Sequence, residues 1–297
     1  MKKHIIKKIL VPIDFSETSE IALAEAISLS VLLNADLFLF HVMDYVEHLY
    51  TGFPEVQTLL HSNSELKNSV ELKMKKMQVK ISKEYGINIE VYIIQGHIHS
   101  EIIDFSIKEN IDLIVMGTHG ISGYKEFFIG ANAQRVVTLS EIPVLTIQNK
   151  IKGSKLSNIL IPIDNSIHSR EKVIMAIDIA KLFGSVIHIL GLPNSEEEHE
   201  LNKFNTKIKS VETIVHEHNL QFVSSLIHGD NLAEEAIKYA NKNNCDLIVI
   251  NTGHESNLTG IFLGLFAQQI VNHSKIPVLS CKHTQDNYSI TTPGFGV

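Results

Sequence analysis

The sequence has few cysteines, no long apolar run and no excess of positive charge, and each shortage excludes a class of protein. The two cysteines, Cys245 and Cys281, have neither a CxxC partner nor metal-type spacing, which predicts buried, reduced thiols instead of a disulfide framework. No segment reaches the roughly 18 consecutive apolar residues of a membrane helix. A net charge of -7, spread along the chain, argues against a general nucleic-acid binder.

The composition is that of an ordinary globular protein, with 44% apolar and 20% charged residues and no low-complexity tract. The N-terminal stretch MKKHIIKKIL is basic but has no cleavage signal, and it continues directly into an apolar run with the length of a strand. We therefore expect a cytoplasmic protein without a membrane span and without a nucleic-acid partner.

Motifs of the common hydrolytic and metal-dependent enzymes are missing from the chain. The sequence contains no Walker A motif, no HExxH and no GxSxG. Four serines beside predicted turns are better explained as helix caps or turn formers than as nucleophiles: Ser16, Ser122, Ser166 and Ser256. No nucleophile is paired with a base, so the sequence assigns no catalytic residue.

Two histidine pairs invite a metal interpretation. His97 and His99, and likewise His216 and His218, alternate in a way that puts both rings on one face of an extended backbone. Neither pair has a third ligand nearby in the sequence, so a metal site is the weaker interpretation and none is assigned.

The chain is a duplicated domain. KILVPIDFS at residues 8–16 recurs as NILIPIDNS at residues 158–166. Residues 112–147 and 246–281 align without a gap, and 16 of the 36 aligned positions are identical. Such internal similarity is the mark of a repeat architecture.

A polar, lysine-rich junction separates the two copies and suits an exposed linker. We place the first domain at residues 1–149, the second at residues 156–283, and a C-terminal tail at residues 284–297. Within each domain, apolar runs of strand length alternate with amphipathic segments. This alternation predicts right-handed crossovers and a parallel sheet covered by helices on both sides.

Periodicity predicts the helices of the first domain. One helix ends at Asn34. A second has an apolar stripe facing the core at four- and three-residue steps: Leu66, Val70, Met74, Met77 and Ile81. The second domain is 16 residues shorter between its first strand and its glycine-bearing segment. Much of the extra length of the first domain lies in or near Asp44–Ser64, which we interpret as a loop over a site.

Three glycines follow the apolar run DLIVM in the first domain. Gly117 and Gly120 shape a turn at the carboxyl end of a strand, where open α/β sheets bind their ligands. Gly130 precedes a predicted helix start, whose free N–H groups attract anions. Two such anchor points suit a nucleoside triphosphate, although ordinary turn formation also explains glycines after parallel strands.

The pattern of residues resembles the universal stress protein family in its tandem form. The family's nucleotide-binding members share Gly, two residues, Gly, nine residues, Gly and then Ser or Thr, and the three glycines match this spacing. ILVPIDFSE and IPVLTI resemble the family's first and last strands. The resemblance implies two tandem α/β domains, each an open five-stranded parallel sheet in the order 3-2-1-4-5 flanked by helices, Rossmann-like and similar to adenine nucleotide alpha hydrolases.

The resemblance also implies a nucleotide site in the first domain. Asp14 would lie near the adenosine and Val42 would line the adenine pocket, while the glycines carry ribose and phosphates. His119 either contacts the nucleotide or structures the turn. The implied site comprises Asp14, Val42, Gly117, His119, Gly120, Gly130, Ala131 and Asn132. The ligand would be ATP, with AMP or ADP as alternatives, and Mg²⁺ would accompany ATP.

Both domains depart from the family pattern. Ala131 lacks the hydroxyl of the Ser/Thr position, and losing one such hydrogen bond costs about 0.5–1.5 kcal/mol. In the second domain four bulkier residues take the places of Gly117, Gly120, Ala131 and Asn132, namely Asn251, His254, Leu265 and Phe266. Asp164 is retained. We therefore expect the second domain to be degenerate for nucleotide binding.

Three functions remain open on the sequence alone. The leading hypothesis is a stress-response protein that binds ATP in its first domain as a regulatory ligand. The alternative is a scaffold or a binder of another small molecule or lipid with decayed phosphate sites. ATP hydrolysis would be slow at most, because the sequence offers no candidate general base beyond Asp14 and His119. Pairing of the outer strands, residues 143–147 and 277–281, would make an intrachain pseudo-dimer and leave room for a homodimer.

Overall fold

The computed structural model describes residues 6–44, 55–118, 129–150, 156–165, 172–252, 254–257 and 260–282. These residues form two compact units. One holds most of the first repeat, and the other holds the second repeat together with Val137–Pro143.

The first repeat is a parallel sheet with helices between its strands. Its strands are β1 (Lys8–Pro12), β2 (Asp36–Met43), β3 (Ile89–Gln95), β4 (Leu113–Gly117) and β5 (Val144–Ile147), and its helices are α1 (Glu17–Leu33), α2 (Glu55–Tyr85), α3 (Ile98–Lys108) and α4 (Ala131–Leu139). The strands lie in the order β3-β2-β1-β4-β5 and all of their pairings are parallel. The predicted order is confirmed.

The second repeat has the same topology. Its strands are β6 (Asn158–Ile163), β7 (Val186–Gly191), β8 (Phe222–Leu226), β9 (Leu247–Asn251), β10 (His254–Asn257), β11 (Gly260–Leu263) and β12 (Val278–Cys281), and its helices are α5 (Val173–Phe183), α6 (Glu198–Glu217), α7 (Leu232–Lys242) and α8 (Leu265–His273). Its parallel strands follow the order β8-β7-β6-β9-β12. The antiparallel pair β10 and β11 is an addition that the sequence did not predict.

The central strands are buried on both faces, as their unbroken apolar runs predict. Ile9, Leu10 and Val11 in β1 have no exposed surface, and neither do Ile159 and Leu160 in β6. Helices that cover both faces of a parallel sheet produce this pattern.

An aspartate in each sheet links the starts of the two central strands through hydrogen bonds. The Oδ2 atom of Asp112, just before β4, accepts hydrogen bonds from the backbone N–H groups of Lys7 and Lys8 at 2.8 and 2.9 Å. The second repeat has the same arrangement at Asp246, which accepts from Ser157 and Asn158. The carboxylate thus joins the starts of two neighbouring strands that are about 100 residues apart in sequence.

Two expectations for the first repeat need correction. The stretch Asp44–Ser64 is not a single loop, because α2 begins at Glu55; residues 45–54 lie outside the described part of the chain. Leu66 is 57% exposed, although Val70, Met74 and Ile81 are buried as predicted. The core-facing stripe of α2 therefore begins one turn later than its periodicity suggests. The predicted helix end at Asn34 is confirmed, with Asn34 in the left-handed conformation.

Candidate functional site

A cavity of about 270 Å³ lies at the carboxyl ends of β1, β2 and β4, between the first turns of α3 and α4. This is the edge of a parallel sheet where the strand order reverses and where ligands bind in such folds. Its walls are formed by Pro12, Ile13, Asp14, Ser19, Phe40, Val42, Ile98, Ile102, Met116, Gly117, Thr118, Gly130, Ala131, Asn132 and Ala133.

Six of the eight residues expected at the site line this cavity: Asp14, Val42, Gly117, Gly130, Ala131 and Asn132. The other two, His119 and Gly120, lie outside the described residues. Residues from three strand ends and one helix start are therefore brought together as the fold prediction requires. Whether they contact a nucleotide stays a prediction.

The position of Asp14 is fixed by its own turn. Its Oδ1 atom accepts hydrogen bonds from the backbone N–H of Ser16 at 2.9 Å and from the Ser16 hydroxyl at 2.5 Å. Ser16 is the N-cap of α1 and its Oγ accepts from the N–H of Ser19, so its predicted capping role is confirmed.

The residue between Asp14 and Ser16 has an unusual backbone. Phe15 has a φ of 63°, a left-handed conformation that is costly for a bulky side chain. Its ring lies 5.0 Å from the His41 ring, and the Lys73 ammonium lies 3.9 Å above it. These contacts hold Phe15 in place, and the turn that they support carries Asp14 at the cavity wall.

Gly117 has a packing reason to lack a side chain. A Cβ atom at this position would lie 2.8 Å from the carbonyl carbon and oxygen of Thr18 and 3.0 Å from the Ser19 nitrogen. These are backbone atoms of the first turn of α1 and cannot move aside cheaply. Gly117 therefore allows α1 to pack closely against the end of β4, which the sequence interpretation did not foresee.

Gly130 closes the path from β4 to α4. Its N–H donates to the carbonyl oxygen of Thr118 at 2.6 Å, and its own carbonyl accepts from Gln134 at 2.9 Å as the first bond of the helix. The predicted helix start is confirmed. The N–H groups of residues 131–133 precede Gln134, the first N–H donor of the helix, so they have no partner within α4. They lie at the cavity wall, where a helix start favours an anion.

The deep wall of the cavity is apolar, and most of its residues were missed by the sequence interpretation. Phe40 and Met116 come from β2 and β4, while Ile98 and Ile102 come from α3. The spacing of the two isoleucines, one helical turn apart directly after β3, is the available sequence signal. A flat, apolar space of this kind suits an aromatic base or another small apolar group.

The same edge of the second repeat is arranged differently. α7 packs against α8, whereas α3 and α4, both fully described, make no comparable contact. At the position aligned with Ile102, α7 has Ala236, which is completely buried. Because the distance between two helices depends on the side chains at their contact, a small residue allows closer approach.

All four predicted blocking residues lie in described elements: His254 begins β10, and Phe266 is half-buried in the first turn of α8. Asn251 ends β9 at the position of Gly117. Leu265 begins α8 but is 78% exposed, so it does not fill a cleft. Asp164 is retained, and its carbonyl oxygen accepts a hydrogen bond of 2.7 Å from the Lys207 ammonium.

Neither histidine pair lies wholly on extended backbone, so this interpretation was wrong. His97 is the N-cap of α3 and His99 lies in its first turn, while His216 is the last residue but one of α6 and His218 caps it. Among the described residues, no group of three His, Cys, Asp or Glu side chains is arranged to hold a metal ion.

The cysteines are buried as predicted, and neither forms a disulfide. Burial raises the pKa of each thiol to about 12. In the described part of the chain, no helix has the length and apolar character needed to cross a membrane.

Comparison with known proteins agrees with this architecture. The model of the universal stress protein family matches the chain twice, at residues 6–148 and 155–282. A universal stress protein of Archaeoglobus fulgidus has a similar structure, with a TM-score of 0.76 over 96% of this chain and 99% of that chain, at 20% identity.

Shorter relatives match about half of the chain. The universal stress protein MJ0577 of Methanocaldococcus jannaschii is 34% identical over 155 residues, which is 48% of this chain and 96% of that protein. YxiE of Bacillus subtilis is 31% identical over 150 residues, which is 48% of this chain and all of that protein. With two matches to the family model and a fold shared along its length, the chain belongs to the universal stress protein family and has two of the family's domains in tandem.

Proposed function

We propose that the first repeat binds an adenine nucleotide, with ATP as a regulatory ligand in the cytoplasm, and that the second repeat is mainly structural. The observation that carries this proposal is the meeting of Asp14, Val42 and the Gly130–Asn132 helix start at one cavity. The apolar wall suits the base, and the helix start suits the phosphates. Mg²⁺ would accompany the phosphates and has no protein ligand assigned.

The size of the cavity suits a ligand of which one part is enclosed and another part lies at the open side. Its volume of about 270 Å³ is just below the roughly 300–1,000 Å³ of typical ligand pockets. The base and ribose would fill the enclosed part, and the phosphates would lie at its open side along the first turn of α4. Ala131 is exposed there, which leaves its N–H accessible.

Equilibrium binding of ATP to the purified protein tests the proposal. We expect Gly130→Val to abolish binding, because a branched side chain would lie at the helix start. Gly264→Val is the matched control in the second repeat, since Gly264 precedes α8 as Gly130 precedes α4; it should leave ATP binding unchanged. Absence of ATP binding to the unmutated protein would refute the proposal.

A second candidate is a binder of a different small apolar molecule or lipid, favoured by the four apolar residues of the deep wall. Mass spectrometry of the native protein separates the candidates: a co-purified adenine nucleotide supports the first, and a lipid supports the second. The Ser16 hydroxyl that donates to Asp14 also caps α1 and is not among the wall residues of the cavity, so ATP turnover should be slow at most. The intrachain pseudo-dimer and a homodimer stay predictions.

A further inference from the structure

Two basic residues, His99 and Arg135, lie on the two helices whose first turns line the cavity of the first repeat. His99 lies in the first turn of α3, three residues before Ile102, and so shares a helix face with this wall residue. Arg135 lies on α4, four residues after Ala131 and three after Asn132, on the face that carries these two wall residues.

Arg135 on α4 acts electrostatically on His99 on α3. Burial lowers the pKa of His99, and the charges of Arg135 and His97 lower it further. An anion bound beside both residues would pair with the Arg135 charge and favour the protonated form of His99. Arg135 is exposed and therefore able to meet such an anion.

The second repeat shows that the scaffold does not require these charges. Ala233 takes the position of His99 and Gln269 takes that of Arg135, both neutral. In that repeat α7 packs against α8, and the two neutral residues lie on these helices. The two basic residues thus lie on the helices that line the described cavity.

On the basis of the proposed nucleotide site, we propose that Arg135 and His99 bind the terminal phosphates and make the first repeat select a triphosphate over a monophosphate. A helical side chain leans toward the N-terminus of its helix, so the Arg135 guanidinium covers the turn that begins at Ala131. The N–H groups of residues 131–133 would hold the first phosphate of the nucleotide, the one joined to the ribose. The next phosphates would meet the planar fork of Arg135, which suits their oxygens.

Comparison of ATP and AMP binding by calorimetry tests the assignment. The wild-type protein should bind ATP at least about tenfold more tightly than AMP, since each charge-assisted hydrogen bond has roughly that effect on affinity. The double variant His99→Ala, Arg135→Gln installs the residues of the second repeat. It should lose about tenfold or more in ATP affinity while AMP affinity changes less than about twofold.

Two further variants separate a specific contact from a change in net charge. Lys108→Gln removes an exposed charge at the far end of α3 and should preserve the ratio of ATP to AMP affinity. Arg135→Lys keeps the charge but loses the fork and should lie between wild type and Arg135→Gln. Tripolyphosphate should compete with ATP on the wild-type protein and lose this ability on the double variant.

Each result decides one claim. Equal weakening of ATP and AMP in the double variant, or an unchanged ATP affinity, would overturn the assignment of Arg135 and His99 and leave the nucleotide site standing. A wild-type protein that binds neither nucleotide would overturn the proposed function and this inference together. Urea unfolding of each variant shows that a lost affinity is not a lost fold.

Discussion

At the carboxyl ends of its strands, the first repeat has a cavity between α3 and α4, whereas in the second repeat α7 packs against α8. The strand order is the same in both, and α4 and α8 each begin directly after an aligned glycine. The aligned residues Ile102 of α3 and Ala236 of α7 differ in size. Helix packing at this edge therefore differs between two repeats that share one strand order.

The opposite halves of the two sheets also differ. Phe38 of the first repeat contacts Tyr92 and Phe105 in an aromatic cluster, with ring centroids 6.2 and 6.4 Å apart. In the second repeat the aligned position is His188, which is buried and lies 3.2 Å from both the Tyr239 hydroxyl and the Asn158 side-chain oxygen. At this position the first repeat has ring contacts, and the second repeat has a hydrogen-bonded polar network.

Exchanging the aligned helix residues Ile102 and Ala236 should have the largest effect on the free energy of unfolding. Ile102→Ala removes a fully buried side chain and should lower the free energy of unfolding by about 2–5 kcal/mol. Ala236→Ile should cost about 1–3 kcal/mol, because the larger side chain forces α7 away from α8. Urea unfolding measures both. If Ala236→Ile unfolds like the wild-type protein, side-chain size does not set the helix spacing in the second repeat.

Exchange at the strand end should have a smaller and asymmetric effect. Gly117→Asn installs the residue of the second repeat and should cost about 1–3 kcal/mol of unfolding free energy, because its Cβ would overlap the backbone of Thr18. The reverse change, Asn251→Gly, relieves no such contact and should cost about 1 kcal/mol or less. Equal costs for the two variants in urea unfolding would contradict the packing role of Gly117.

The polar network should produce the smallest effect, a pH dependence that His188 adds to the second repeat. Burial lowers the pKa of His188 below its ordinary value of 6.5. The unfolded chain then binds the proton more readily, so this residue's contribution to stability is complete above pH 6.5 and is lost as the pH falls below it. His188→Phe, the residue of the first repeat, should flatten the decline of the urea midpoint between pH 7.5 and 5.5. An unchanged slope in this variant would contradict the assignment.

The sequence predicted what depends on local pattern and on the repeat. Continuous apolar runs predicted the buried strands. Asn34 and Gly130 predicted a helix end and a helix start, and the structure confirms both. Six residues of the cavity wall were predicted: Gly117 and Gly130 from a strand end and a helix start, and Asp14, Val42, Ala131 and Asn132 from the family resemblance. The packing of Gly117 on Thr18 did not, because it joins residues almost 100 positions apart through a backbone contact.

The sequence also did not show how side-chain size affects the spacing between two packed helices. Ile102 and Ala236 are both buried core residues of their own helices. The effect of their different sizes depends on the helix that packs opposite, which the sequence of a single helix does not show. The exposure of Leu66 was missed because periodicity describes a helix face without showing where the core beneath it ends.

The aspartates that join the starts of the central strands have a consequence for synthesis of the chain. Residues 7 and 8 meet Asp112 only after about a hundred further residues have been made, and the second repeat then offers Asp246 and a near copy of the same strand. Closing so long a loop is slow, and tandem copies of one domain are prone to exchange equivalent segments. During translation, early completion of the first copy protects the nascent chain from a cross-paired product, in which a strand of one copy enters the sheet of the other.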